Sequence, residues 1–312
     1  MRTFLVTGGA GFIGSHIAEA LVGRGDRVRV LDNFSTGHRS NLQGFLDRIE
    51  LIEGDVLDTA TVARAVDGAD AVFHQAALAS VQWSVDRPLD SHAACTTGTV
   101  NILDAARRAG VRRVLLAGSS AAYGDRPTAS KRESDLPAPI SPYAAAKLAA
   151  ELYCQAFTAT YGLETVVLRY FNIFGPRQDP KSPYSAVIPL FITAMLAGRQ
   201  PVVYGDGRQS RDFSFVGNVV RANLLAADAP GVAGGVFNIA NGKSTDLLTL
   251  VAVLNRLLGT QVQPRHEPAR QGDVRESQAD ITQARTRLGY EPAVDFEEGL
   301  SRSIAYYRSI IG

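Results

Sequence analysis

Short apolar, β-branched runs alternate with longer patterns of helical period through the first two-thirds of the chain. Phe4–Val6 is a run, and Ile13–Val22 reads as a helix. Further runs cover Arg27–Leu31, Ile49–Ile52, Ala71–His74, Val114–Ala117 and Thr165–Arg169, with helical stretches at Val100–Arg108 and Ala144–Tyr161. Strands alternating with helices predict an α/β fold, a parallel sheet covered on both faces. Beyond residue 170 the pattern changes. Gly175-Pro176, Asp179-Pro180, Ser182-Pro183 and Gly205-Asp206-Gly207 break it up, and shorter helices follow at Leu247–Leu258 and Phe296–Ile311. The expected division is therefore residues 1–170 and residues 171–312. The second part sits over the sheet, and the chain crosses back to the first near 212–240. No internal repeat or long charge run is present.

Composition narrows the class. The 312 residues carry 32 Lys+Arg and 31 Asp+Glu, a net charge of +1. That excludes a broad electrostatic footprint for nucleic acid, while leaving room for one local anion pocket. Cys95 and Cys154 are far apart, so a disulfide framework is excluded and a reducing compartment fits. The five histidines lack metal-site spacing. The N-terminus has no apolar leader pattern, and the longest apolar stretch, Ala186–Ala197, is too short to span a bilayer. The reading is a cytoplasmic protein without a membrane segment.

Val6-Thr7-Gly8-Gly9-Ala10-Gly11-Phe12-Ile13-Gly14 lies between the first strand and the first helix. Gly8 permits a tight turn, Gly11 a close backbone approach to a pyrophosphate, and Gly14 close packing of the helix. The helix N-terminus adds free N–H groups and partial positive charge. Asp32 ends the second strand, where an acid accepts hydrogen bonds from ribose hydroxyls and repels a 2′-phosphate. NAD is favoured over NADP. Phe12, Ile13 and Asn33 join the candidate contacts from the same segments. Asp55-Val56 and Gln75-Ala76-Ala77 follow the third and fourth strands, at the carboxyl ends where such sheets bind ligands. Asp55 is positioned for adenine, and the small Ala76-Ala77 pair admits the cofactor. His74 reads as a packed structural histidine.

Tyr143 and Lys147 stand at i and i+4 near a helix start, on one face. Ser141 suits the N-cap and Pro142 the first helical position. Bringing a tyrosine from about 10 to near 7 takes about 4 kcal/mol. An ammonium a few ångströms away at low dielectric, with the positive nicotinamide ring, can supply it. The phenolate is then a general base. Ser119, at the end of the strand Val114–Ala117, is placed to bond the same substrate oxygen.

Gly8-x-x-Gly11-x-x-Gly14, Tyr143-x-x-x-Lys147 and Ser119 together resemble the extended short-chain dehydrogenase/reductase superfamily, over essentially the whole chain. Arg169–Gln178, Ser210-Arg211-Asp212-Phe213 and Arg270-Gln271-Gly272-Asp273 resemble its nucleotide-sugar 4-epimerases. The resemblance implies a Rossmann-type doubly wound parallel sheet with a smaller α/β substrate domain, an NAD cofactor, a UDP-sugar substrate and a homodimer. For the dimer, it points to helices near 90–109 and 143–161. It implies that Tyr143 takes the proton of the sugar 4-OH while NAD takes the C4 hydride. A 4-keto sugar forms, turns over and is reduced on its other face. Ser119 orients the 4-oxygen, with Ser120 beside it, and Lys147 holds the nicotinamide ribose and tunes Tyr143. Asn172, Arg211 and Arg270 map to diphosphate contacts, Asp273 to the uridine ribose, Tyr204 to the nucleobase pocket, and Val187 to the substrate set.

Ser120-Ala121 replaces the Asp-Glu pair of dehydratases and leaves no carboxylate for elimination or decarboxylation. Ser277 matches the position gating the sugar pocket, where a small residue admits a 2-N-acetyl group. Gln178–Pro189 and Asn218–Leu225 also resemble the branch acting on UDP-N-acetylhexosamines. The expected substrates are UDP-GlcNAc/UDP-GalNAc, with UDP-Glc/UDP-Gal also accepted. Alternatives are a UDP-glucose 4-epimerase with little N-acetyl activity, a UDP-glucuronate 4-epimerase, and a non-catalytic NAD-binding redox sensor. Three positions depart from the pattern. Cys95 replaces an Asn that contacts the cofactor, which predicts weaker NAD retention. Gly118 replaces a frequent Ser. Gly217-Asn218 lacks an acid expected to support Arg211.

Overall fold

The computed structural model describes residues 1–126, 128, 130–180, 186–269 and 275–311. The first half runs β1 (Thr3–Thr7), α1 (Phe12–Gly23), β2 (Arg27–Asp32), β3 (Ile49–Glu53), α2 (Thr59–Val66), β4 (Ala71–His74), α3 (Val81–Asp86), α4 (Pro88–His92), α5 (Gly98–Arg108), β5 (Arg113–Ser119), α6 (Pro142–Tyr161) and β6 (Glu164–Tyr170). The second half runs β7 (Ile173–Phe174), α7 (Val187–Leu196), β8 (Val202–Tyr204), β9 (Ser210–Arg211), β10 (Ser214–Phe215), α8 (Val216–Asp228), β11 (Gly235–Ile239), β12 (Thr245–Asp246), α9 (Leu247–Leu258), β13 (Arg265–Glu267), β14 (Glu276–Ser277), α10 (Thr282–Leu288) and α11 (Phe296–Ile311).

Seven parallel strands in the order β11-β6-β5-β4-β1-β2-β3 make the main sheet. This is the parallel sheet covered on both faces that the alternation predicts, in the doubly wound Rossmann-type form that the resemblance implies. Its strands are apolar runs because both faces are buried. On one face Phe4, Val6, Val30, Phe73, Leu115 and Leu168 pack with α1 and α8. On the other, Leu5, Leu31, Val72, Leu116 and Val167 pack with α2, α5 and α6. A third core lies beyond the sheet, where Phe174 meets Phe213, Phe215 and Phe296 edge-on between α7, α9 and α11.

Local signals set the helix that matters most for the site. Ser141 caps α6 by accepting the Ala144 N–H (3.2 Å), Pro142 occupies the first turn, and Gly162 ends it with φ of 71°. The last strand of the sheet, β11, forms only after residues 171–234 have been laid down. α8, just before it, packs on α1.

Candidate active site

The carboxyl ends of β1, β4 and β5 converge with the start of α6. The phosphate loop turns at Gly8, whose φ is +64° and whose Cβ would lie 2.6 Å from Ala76 N. A Cβ on Gly14 would lie 2.2 Å from Gly8 O. Gly14 is therefore required by the close approach of the turn's own carbonyl to the helix. Gly11 is the N-cap of α1 without a side-chain bond, and Phe12 and Ile13 form its first turn. The helix end is thus left with backbone donors alone.

Asp32 is buried beside this loop. Its Oδ2 accepts the Ala10 N–H and its Oδ1 the Phe34 N–H, both at 2.8 Å. Burial raises its pKa, and those two bonds oppose the rise. Asn33 Nδ2 donates to Asp55 Oδ2 (2.8 Å), joining two candidate contacts into one unit. Val56 O accepts from Asn101 (3.0 Å). Gln75 Oε1 accepts from Tyr170 OH (3.2 Å), while Gln75 Nε2 is a buried donor without a partner. Ala77 follows Ala76 in the loop after β4.

These residues fit a dinucleotide. The loop gives backbone donors at a helix N-terminus, Asp32 retains lone pairs, and Gln75 Nε2 lacks the partner that a buried amide needs. His74 is fully buried and neutral, with its pKa lowered to about 3 by burial. Thr7 Oγ1 donates to His74 Nδ1 (2.7 Å), Nε2 donates to Thr99 Oγ1 (3.0 Å), and Thr99 donates to Cys95 O (2.6 Å). The last bond uses the Thr99 hydrogen, which sets the direction of the others and the tautomer.

Ser119 ends β5 half-buried, and its Oγ accepts the Ala121 N–H (3.2 Å) as Ser120 opens a single helical turn. Tyr143 is half-buried on the first turn of α6. Lys147 is buried one turn on, and its Nζ donates to Ala117 O (2.9 Å). Burial raises the Tyr143 pKa, helped by the buried Cys95 and opposed by a Ser119 hydrogen bond. Lys147 is itself lowered by burial. One ammonium N–H donates to the Ala117 carbonyl, and burial favours the neutral phenol. Cys95 lies in a wider, π-type turn at Ala93–Thr97.

The substrate candidates lie on the second half. Asn172 follows β6 with φ of +36°, and its carbonyl accepts the Ser214 N–H (3.2 Å). Arg211 on β9 pairs in parallel register with Ser277 on β14. Tyr204 ends β8, and Val187 opens α7, both half-buried. Arg270 and Asp273 lie outside the described residues. Asn218 is not posed to support Arg211. Its Nδ2 donates to Val294 O (2.7 Å) and Asn241 Oδ1 (3.2 Å).

Three contacts escaped the sequence reading. His16 Nε2 bonds Pro176 O (3.0 Å), Arg177 pairs with Glu19 (2.6 Å), and His38 pairs with Asp179 (3.4 Å). They tie the segment after β7 to the cofactor helix and its neighbour. Among the described residues, Phe34, Asn172 and Arg177 are the non-glycine residues with positive φ. No group of three or more metal-ligating side chains occurs among the described residues, and no helix there is long and apolar enough to cross a membrane.

A parallel doubly wound sheet, with a glycine loop at β1 and a Ser–Tyr–Lys set at β5 and α6, defines a dinucleotide-dependent enzyme of the short-chain dehydrogenase/reductase type. The NAD dependent epimerase/dehydratase family matches residues 4–240, and the chain belongs to that family. It is 37% identical over 313 residues to the UDP-glucose 4-epimerase of Mycolicibacterium smegmatis, covering 99% of both chains. Among solved structures, it is similar to the UDP-N-acetylglucosamine 4-epimerase from Methanobrevibacter ruminantium M1 in complex with UDP-N-acetylmuramic acid. The TM-score is 0.95 at 40% identity over 99% of both chains. It is likewise similar to the UDP-glucose 4-epimerase from Thermotoga maritima with UDP-glucose (TM-score 0.95, 38% identity, 99% of this chain and 100% of that one).

Proposed function

We propose that this chain is an NAD-dependent C4 epimerase of UDP-sugars, acting mainly on UDP-N-acetylglucosamine and UDP-N-acetylgalactosamine and accepting UDP-glucose and UDP-galactose. The observation that carries the N-acetyl reading is Ser277, a small residue paired in register with Arg211. In this reading Arg211 and Asn172 hold the diphosphate, and Ser277 leaves the sugar pocket open at C2. The likeness to relatives named for both sugar types supports the class.

Tyr143 takes the 4-OH proton, and Ser119 holds the 4-oxygen against it. Lys147 keeps the base in place and lies on the same helix face. The phosphate loop and Asp32 would hold NAD, which would supply reversible hydride acceptance from the sugar C4 and a positive charge that favours the phenolate. Residues 1–170 carry the cofactor in this proposal, and residues 171–312 the nucleotide sugar.

Incubation with UDP-N-acetylglucosamine and UDP-glucose, with the C4 epimers resolved by chromatography, tests the assignment. Conversion of UDP-glucose alone removes the N-acetyl reading. Ser277→Tyr is expected to lower kcat/KM for the N-acetyl sugar about 10- to 200-fold, with UDP-glucose far less affected. Equal losses on both sugars would mean that Ser277 does not form the pocket wall.

The assembly proposed is a homodimer through the helices near 90–109 and 143–161, with α3 and α4 widening that surface. The helices α3, α4 and α6 pack on one another and leave Val81, Val85, Leu89 and Leu152 exposed. Sedimentation equilibrium should return twice the chain mass, and Leu89→Glu with Leu152→Glu should return it to one.

A further inference from the structure

Asp212 is a buried carboxylate that neither the base nor the cofactor contacts use. It directly follows Arg211 and is 0% exposed. Its Oδ1 accepts the Asn241 N–H (2.9 Å), and its Oδ2 accepts those of Gly242 (3.0 Å) and Ala279 (3.1 Å). Its own N–H donates to Ser277 O (2.7 Å). The 241–242 turn leads into β12, and Ala279 follows β14. One side chain thus joins β9 to the segments carrying both of its sheet neighbours.

These three strands are two residues long each. So short a ladder has little power to hold its own register. The bonds around it are supplied by side chains. Gln278 Nε2 donates to Gly242 O (2.9 Å), and Asn241 Nδ2 to Phe213 O (2.8 Å). Asn218 braces Asn241 from α8. Burial pushes the Asp212 carboxyl up to about 7, against the pull of those backbone N–H groups.

We infer that Asp212 is a positioning residue for the substrate. Its carboxylate holds Ser277 opposite Arg211, and so sets the distance between the diphosphate contact and the wall of the sugar pocket. This rests on the UDP-sugar reading above. A carboxylate accepts at both oxygens, whereas an amide accepts at one and presents N–H at the other. In Asp212→Asn at least one backbone N–H must therefore face another donor, and the β14 segment shifts against β9. Tyr143 and the phosphate loop stand on other elements and are undisturbed.

The test compares wild-type and Asp212→Asn holoenzyme. It measures kcat and KM for UDP-N-acetylglucosamine and UDP-glucose, UDP affinity by calorimetry, and NAD content of the purified protein. The expected result is a KM about tenfold higher or more, with weaker UDP binding, because a hydrogen bond to a charged group is lost. The ratio of the two KM values should shift, while kcat and NAD content stay close to wild type. Unchanged KM and UDP affinity in a folded variant would overturn the inference, and so would a fall in kcat alone. If Asp212→Asn fails to fold, Gln278→Ala loosens the same joint from its half-buried side. A higher KM at unchanged kcat supports the inference, and unchanged kinetics overturns it. Wild-type enzyme that converts neither sugar and binds no UDP would instead refute the substrate reading, and that is known before any variant is made.

Discussion

Tyr143→Phe should lower kcat by about 10²- to 10⁴-fold, the range for losing a positioned proton-transfer group. NAD content and UDP affinity should stay at wild-type values. Phe keeps the ring that half-fills this end of α6 and removes only the oxygen facing Ser119. The loss then falls on kcat and kcat/KM together, the mark of an interaction made in the transition state. Because burial raises the phenol's pKa, little phenolate exists in the protein on its own near neutrality. A bound oxidised NAD would add a positive charge that favours the phenolate. Chromatographic assay of both epimers reads the effect. Turnover retained in Tyr143→Phe would remove this residue from the base role.

Glu151→Ala should cost about 3–5 kcal/mol of stability, as expected when one partner of a buried ion pair is removed. Arg169 donates to both Glu151 oxygens, at 2.9 and 2.6 Å, and both side chains are almost wholly buried. The guanidinium also lies 4.6 Å from the centre of the Tyr123 ring. Without Glu151 it would remain a buried charge stripped of its hydrogen-bonded partner. Glu151 sits one turn beyond Lys147, on the helix stripe that begins with Tyr143, so this pair fastens the catalytic helix to β6. Urea unfolding of wild type, Glu151→Ala and Glu151→Gln checks it, with the isosteric Gln variant losing less. A loss in Glu151→Ala of under about 1 kcal/mol, the scale of an exposed pair, would show that water reaches the site.

The parts of this molecule that could be read from sequence are those governed by periodic burial or by a local backbone demand. Both faces of the sheet are covered, so its strands appear as apolar runs. Gly8 and the cap at Ser141 act within a few residues of themselves. The two-residue strands β9, β12 and β14 are too short to carry any period, so the pairing of Arg211 with Ser277 was invisible. Contacts such as His16 with Pro176 and His38 with Asp179 join distant segments without a motif. Lys147 was legible only in part. Spacing put it on the face of Tyr143, but spacing carries no information about burial or about the Ala117 carbonyl that accepts one of its N–H groups. Asn218 shows the same limit. The sequence marked only the absence of an acid near it, whereas its amide reaches Val294 and Asn241.

β11 pairs with β6 through Gly235–Ile239. A chain cut after residue 170 would lose that strand and leave β6 as a raw edge, with a row of unpaired N–H and C=O groups able to template aggregation. It would also uncover the face that α8 shields. Excision at the sequence-level boundary therefore does not yield a self-sufficient nucleotide-binding module. The second half returns α8 and β11 to the first, so the two should melt and be degraded as one cooperative body.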